Sequence, residues 1–357
     1  AYIEDCGGSP GRAAHGKSLD SSRMVYDARE LLATMFHCTA AERVIFTKNA
    51  TEAMNMVLFG FLDSGDHVVT SSMEHNAVMR PLRHLETKGI RITAVPCDSC
   101  GRLDPATVKQ ALTPQTKLIV LTHASNVAGT ILPIGEIGLL AREAGIRFAV
   151  DASQTAGICP LDMHAMGIDF LVFTGHKSLG GPQGTGGLVL GPDVDLRPLL
   201  FGGTGSASES EHQPDFLPDK LESGTLNAVG IAGLYAATQD LLTFGISKVL
   251  DHERHLTKML REGFRALPGV TVYGPEDSDA CVGVTSINVS AVPCTDVGVR
   301  LERDFGILTR TGLHCAPAAH HTLGTFKIGT VRFSVSRFTT EAEVQAAITA
   351  VAHIAKK

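Results

Sequence analysis

Between residues 43 and 191, short apolar runs rich in β-branched residues alternate with helical patterns, and few folds accommodate that rhythm. Val44–Thr47, His67–Thr70, Ile92–Val95, Leu118–Thr122, Arg147–Val150, Asp169–Phe173 and Gly187–Leu190 read as strands. Thr51–Leu62, Ala77–Glu86, Pro105–Leu112 and Ile134–Ala144 read as helices between them. Strands that are apolar on both faces, separated by helices, predict a mostly parallel sheet covered on both sides. After residue 230 the pattern changes. A helical stretch from Ile231 to about Leu267 precedes strands at Val270–Tyr273, Val284–Val289, Ile307–Arg310 and Val331–Val335, and then a last helix, Thr340–Ile354. This predicts an α/β chain with a large domain, residues 1–239, and a smaller α+β domain, residues 240–357. With 357 residues both can hold a core.

Ligands of such sheets bind beyond the carboxyl ends of the strands, and the polar motifs of this chain sit there. Lys177 follows the apolar run to Phe173 inside a Gly-rich turn, Thr174-Gly175-His176-Lys177. Asp151 ends the run Arg147–Val150. A lysine amine and a buried carboxylate suit pyridoxal phosphate, which needs an amine to hold it and a carboxylate to keep its ring nitrogen protonated. Asn49-Ala50-Thr51-Glu52 joins a strand to a helix, where free backbone N–H groups and the helix dipole favour a phosphate; alone, Asn49 or Thr51 reads as a plain N-cap. His75 reads as a turn histidine or as a ring stacked on the pyridine. Asn126 and Gln154 suit the cofactor's phenolate oxygen, with turn chemistry as the bland alternative for Asn126. His176 lies next to the lysine, within range of a phosphate. Arg332 interrupts an apolar alternation and reads as a solvated face or as a bidentate clamp for a carboxylate. Cys315 stands in a Gly/Pro-punctuated loop beside His314, which favours exposure and thiolate character over packing.

Composition narrows the rest. A net charge of −6 argues against a general nucleic-acid binder. No apolar run reaches the length of a membrane span. The eight cysteines form no disulfide framework, which fits a reducing, cytoplasmic setting. Cys97-Asp98-Ser99-Cys100 has no second Cys/His pair at zinc spacing, so it reads as a turn before Gly101, and no metal is expected.

Taken in order, these motifs resemble the fold-type I, class V aminotransferase group, and within it the cysteine desulfurases, nearest the SUF-type branch. The resemblance runs from about Gly11 onward through Asn49–Ala53, Glu74–Asn76, Asp151–Gln154, Thr174–Lys177, Glu222–Asn227, Arg310–Cys315 and Arg332–Phe338. It implies that Lys177 holds the cofactor and moves protons, that Asp151 pairs with the ring nitrogen, and that His75 stacks on the ring. It implies phosphate contacts from Thr51, Thr174 and His176, and from Thr225 of a second subunit, so that a homodimer is expected. Asn126 and Gln154 would hold the phenolate oxygen, Arg332 the substrate carboxylate, and Cys315 would take the substrate sulfur as a persulfide. The expected substrate is L-cysteine, with a sulfur-acceptor protein as a further partner. Selenocysteine lyase, a class V aminotransferase and a degenerate scaffold are the alternatives. Two departures stand out: Leu313-His314 where the SUF-type loop has two histidines, and the segment Ala318-Ala319-His320-His321 after the cysteine. The family's N-terminal stretch is also missing, so further residues are expected upstream of Ala1.

Overall fold

The computed structural model describes residues 2–5, 7–11 and 15–356. A single helical turn, α1 (Tyr2–Asp5), and a 20-residue helix, α2 (Gly16–Met35), come first. The large sheet is then built by β1 (Val44–Thr47), α3 (Ala50–Phe61), β2 (His67–Ser71), α4 (Asn76–Glu86), β3 (Arg91–Val95), α5 (Pro105–Ala111), β4 (Thr116–Thr122), α6 (Ile134–Glu143), β5 (Arg147–Asp151), β6 (Phe170–Thr174) and β7 (Gly186–Leu190). The seven strands lie in the order β1-β7-β6-β5-β4-β2-β3. Pairings from β6 through β3 are all parallel, while β7 runs antiparallel to both β6 and β1.

Alternate strand residues feed two cores, as a pleat with period two requires. Phe46, Val69, Ile119, Leu121, Phe148, Val150, Leu171 and Phe173 pack with α2 and α6 on one face. Ile45, Val68, Leu118, Val120, Ala149, Phe170 and Val172 pack with α3 and α4 on the other. Helix α2 was not predicted. Its inward stripe is Ser18, Ser21, Val25, Ala28, Arg29 and Leu32, too polar to read as an apolar face. Arg29 is buried there because Glu222 meets it with two bonds of 2.7 and 2.5 Å, a fork-to-fork pair that offsets desolvation. Glu222 also accepts the Phe46 N–H at 2.5 Å, tying a distant loop to β1.

The predicted long helix is two, α7 (Ala228–Phe244) and α8 (Ile246–Arg265), bent by 80°. Gly245 sits between them at φ 102°, which a side chain would resist, so the helix ends there. The second sheet follows: β8 (Val270–Val272), β9 (Val284–Val289), α9 (Cys294–Phe305), β10 (Arg310–Gly312), α10 (Pro317–Thr322), β11 (Thr330–Ser334) and α11 (Glu341–Ala355). Its order is β10-β11-β9-β8, and it has its own core around Leu260, Phe264, Ile287, Val331 and Val351. The strand expected at Ile307–Arg310 begins only at Arg310. Gly306 caps α9 in the left-handed region, and Leu308 beyond it is exposed rather than paired. Among the described residues, no single helix is long and apolar enough to cross a membrane.

Candidate active site

A cleft of about 460 Å³ opens where the carboxyl ends of β1, β2, β4, β5 and β6 meet β10 and β11. Ala50, Thr51, His75, Asn126, Asp151, Gln154, Thr174, His176, Lys177 and Arg332 all line it. A hollow of about 600 Å³ lies at the opposite ends of β5 and β6 around Cys38, Arg147 and Asp169. It holds neither a lysine nor the helix N-terminus that makes the first cleft chemically specific.

Each wall has a local cause. Asn49 is the N-cap of α3, its Oδ1 accepting the Glu52 N–H at 3.0 Å. This leaves Thr51 and the Ala50 backbone at the positive end of the helix, facing the cleft. The plain-cap reading is therefore right for Asn49 alone. His75 caps α4: its Nδ1 accepts the Ala77 N–H at 3.0 Å, so the neutral ring carries its proton on Nε2. Burial lowers the His75 pKa, with Asp151 pulling it back up. Glu74 pins this turn. It takes the Ser71 hydroxyl at 2.6 Å and the Thr122 N–H at 2.9 Å, and burial pushes its carboxyl up to about 8. Asp151 is buried at the end of β5, its Oδ1 held by the Ser153 N–H at 2.9 Å. Thr174 Oγ1 and His176 Nδ1 lie 3.0 Å apart.

Lys177 follows β6 by a turn that only glycine permits: a Cβ on Gly175 would lie 2.1 Å from Thr185 Oγ1. The side chain is open to the cleft, yet the walls crowd its amine. That desolvation lowers the lysine pKa; Asp151 pulls upward, and Arg332 and Arg310 push further down. An amine so placed is a better nucleophile and proton carrier than a solvated lysine.

Arg310 is the residue that sequence reasoning missed. It stands directly opposite Arg332 in the β10–β11 pairing, an arrangement that repels unless an anion sits between or beside the two. Arg332 donates from Nη1 to the Asn126 carbonyl at 3.0 Å, and its Nε has no partner. Arg310 Nη2 lies 3.3 Å from Cys315 Sγ. The predicted strand ended at Arg310, so the cross-strand pair was invisible; an arginine five residues before the cysteine was the available signal. Cys315 is exposed, as expected, but His314 is not its charge partner. The His314 ring is 2% exposed and turned inward, and burial with Arg332 nearby drops its pKa to about 3. Asn126 donates from Nδ2 to the His314 carbonyl at 2.7 Å, leaving its second amide hydrogen for the cleft. Thr225 does not reach this cleft within one chain; it lines a neighbouring hollow with Lys48, Glu52 and Asn227. Cys97 and Cys100 flank a turn in which Asp98 Oδ1 accepts the Cys100 and Arg102 N–H groups, and burial raises the Cys97 thiol to about 11. No metal-binding cluster occurs among the described residues.

The buried titratable groups set a pH optimum for stability. His123, His314 and His320 have pKa values of about 4, 3 and 4 from burial, below the unfolded value of roughly 6.5. Stability is therefore whole above pH 6.5 and is lost as pH falls toward 4, by about 1.4 kcal/mol per pH unit per group. Glu74 and Glu253, pushed up to about 8, act the other way: stability falls as pH rises from 4.5 to 8. His67, His75 and His176, whose pKa values burial also lowers, act with these three, so the histidines outweigh the two carboxyls on the acid side, while between pH 6.5 and 8 the carboxyls dominate. The urea midpoint should peak near pH 6.5; a midpoint climbing steadily to pH 8 contradicts these assignments.

Comparisons with known proteins agree with the geometry. The profile described as Aminotransferase class-V matches residues 1–347. A probable cysteine desulfurase from Methanothermobacter thermautotrophicus is 35% identical over 96% of this chain and 87% of its own. A cysteine desulfurase from Escherichia coli is 30% identical over 96% and 85%. The apo structure of a cysteine desulfurase from Thermococcus onnurineus superposes with a TM-score of 0.94 at 30% identity, over 99% of this chain and 89% of that one.

Proposed function

The chain belongs to the class V aminotransferase family, and on that premise we propose that it is a cysteine desulfurase that takes sulfur from L-cysteine onto Cys315 and releases L-alanine. One observation carries the reading. Lys177, Asp151 and Arg332 line a single cleft, and an exposed thiol, Cys315, sits at its edge 3.3 Å from Arg310. Cysteine desulfurases of this family use pyridoxal phosphate. The donor set here fits it: an amine, a buried carboxylate, neutral donors at Asn126 and Gln154, and hydroxyls with free backbone N–H groups at the start of α3.

Pyridoxal phosphate supplies, when bound, an electron sink for negative charge at the substrate Cα. The side chains do the rest. Lys177 anchors the cofactor and then accepts and returns the Cα proton, a role its lowered pKa suits. Asp151 would hold a proton at the cofactor's ring nitrogen, and His75, with its Nε2–H available, would pack against the ring. Thr51, Thr174, His176 and the Ala50 backbone would bind the phosphate, and Asn126 and Gln154 the phenolate oxygen. Arg332 clamps the substrate carboxylate, and Arg310, 3.3 Å from Cys315 Sγ, positions that sulfur at the edge of the cleft. The Cys315 thiolate attacks the substrate sulfur. The S–S bond forms as the C–S bond breaks, and the electron pair left on the substrate's β-carbon takes a proton to give alanine. An exposed thiol paired with a guanidinium favours this route over a selenocysteine lyase or an aminotransferase, which leave the thiol without a task.

The same proposal includes a two-domain division near residues 239/240, supported by the separate core around β8–β11. It also includes a homodimer in the cytoplasm, in which Thr225 of one subunit reaches the partner's phosphate. Sedimentation should show a dimer, and Thr225→Ala should weaken cofactor retention by roughly 1.5–3 kcal/mol, the scale of one hydrogen bond to a charged group. A fully active monomer contradicts it. The activity itself is tested by incubating the enzyme with L-cysteine and a thiol reductant. Alanine and sulfide in equal amounts are expected; neither product would sink the reading.

A further inference from the structure

Behind the cysteine loop stands a histidine to which the chemistry above gives no work. His314 and Cys315 both adopt left-handed backbone, φ 50° and 58°. Two consecutive non-glycine residues keep that conformation only where their surroundings hold them. The pair of turns has a clear result: the His314 ring goes inward and the Cys315 side chain goes out toward Arg310.

The front of the loop is held through its backbone. The Asn76 N–H donates to the Cys315 carbonyl at 2.8 Å, and Asn126 Nδ2 to the His314 carbonyl at 2.7 Å. The back is held through rings. His314 Nε2 meets Thr330 Oγ1 at 2.9 Å. Against its ring packs that of His320, fully buried, with centroids 5.5 Å apart and planes tilted by 35°. His320 is itself fixed through Nδ1 to Thr325 Oγ1 at 2.7 Å. The remaining nitrogens, His314 Nδ1 and His320 Nε2, are buried without a partner. A pair that forgoes two hydrogen bonds is there for its shape and its lack of charge.

We infer that His320 is a positioning residue for Cys315: its buried, uncharged ring backs the His314 ring and so keeps both left-handed residues turned and the thiol beside Arg310. The inference rests on the reading of Cys315 as the sulfur carrier. Removing the ring gives His314 room to swing inward, which relaxes the loop and breaks the Asn76–Cys315 bond. The ring's bulk, rather than a proton on it, is what acts.

The test uses the holoenzyme with His320→Ala and His320→Phe. In His320→Ala, kcat for L-cysteine should fall by about tenfold or more while KM stays within about twofold and the cofactor spectrum is unchanged, the split expected when substrate binding survives and the attacking group is misplaced. Hydrogen exchange at the Asn76 amide, which loses its acceptor, should rise at least about tenfold. His320→Phe, which restores an uncharged ring, should recover most of both. If His320→Ala fails to fold, Thr325→Val, which frees the His320 ring, should show the same split in milder form. Unchanged exchange and kcat in His320→Ala or, failing that variant, in Thr325→Val overturns the inference, as does a Phe variant as impaired as Ala. Exchange at Asn76 needs no turnover, so an enzyme inactive on cysteine would refute the proposed function while the exchange comparison still decided the role of His320.

Discussion

Lys177→Ala should abolish turnover of L-cysteine, by on the order of 10³-fold or more, the range for losing a positioned proton-transfer group that also anchors a cofactor. The amine is lodged in a turn that Gly175 alone allows, and its pKa is lowered by burial and by two arginines. The variant should also lose the visible absorbance of lysine-bound cofactor. Asp151→Ala should retain some cofactor but lose most activity, because its carboxylate holds the ring-nitrogen proton. A Lys177→Ala enzyme with ordinary turnover, measured by alanine release, would remove the basis for the whole assignment.

Cys315→Ala should be nearly as severe for a different reason. It leaves the cleft and the cofactor spectrum intact, since the exposed thiol is held from the cleft wall by Arg310 and packs into no core. It removes the group that accepts sulfur, so alanine release from L-cysteine should drop by on the order of 10³-fold, the scale of losing a covalent nucleophile. Selenocysteine offers a weaker bond to break, so residual activity on it is compatible with the same site. Full cysteine turnover by Cys315→Ala would mean that the sulfur leaves without a protein acceptor.

The residues that were legible in the sequence share one property. Lys177, Asp151, Thr51 and His75 each follow a strand whose apolar run is continuous, so strand end and polar residue are read together. The sheet from β1 to β7 was visible for the same reason, with its strand ends displaced by no more than two residues. What escaped depends on partners far away in the chain. Helix α2 has an inward face that reads as polar until Glu222, 193 residues on, is seen to neutralise Arg29. Arg310 acquires meaning only from the register that sets it opposite Arg332. His314 looked like a helper of the thiol because it is adjacent in sequence, yet two left-handed residues turn the neighbours to opposite sides. Local pattern reports burial and periodicity; it does not report the handedness of a loop or the pairing of strands.

The central claim is that sulfur passes to Cys315, and mass spectrometry tests it most directly. The purified enzyme is treated with one equivalent of L-cysteine without reductant, alkylated, digested and mapped. One added sulfur on the peptide carrying Cys315, absent from Cys315→Ala, is the predicted result. Alanine formed with no sulfur on Cys315, or with the sulfur on Cys97 or Cys100 instead, would contradict it.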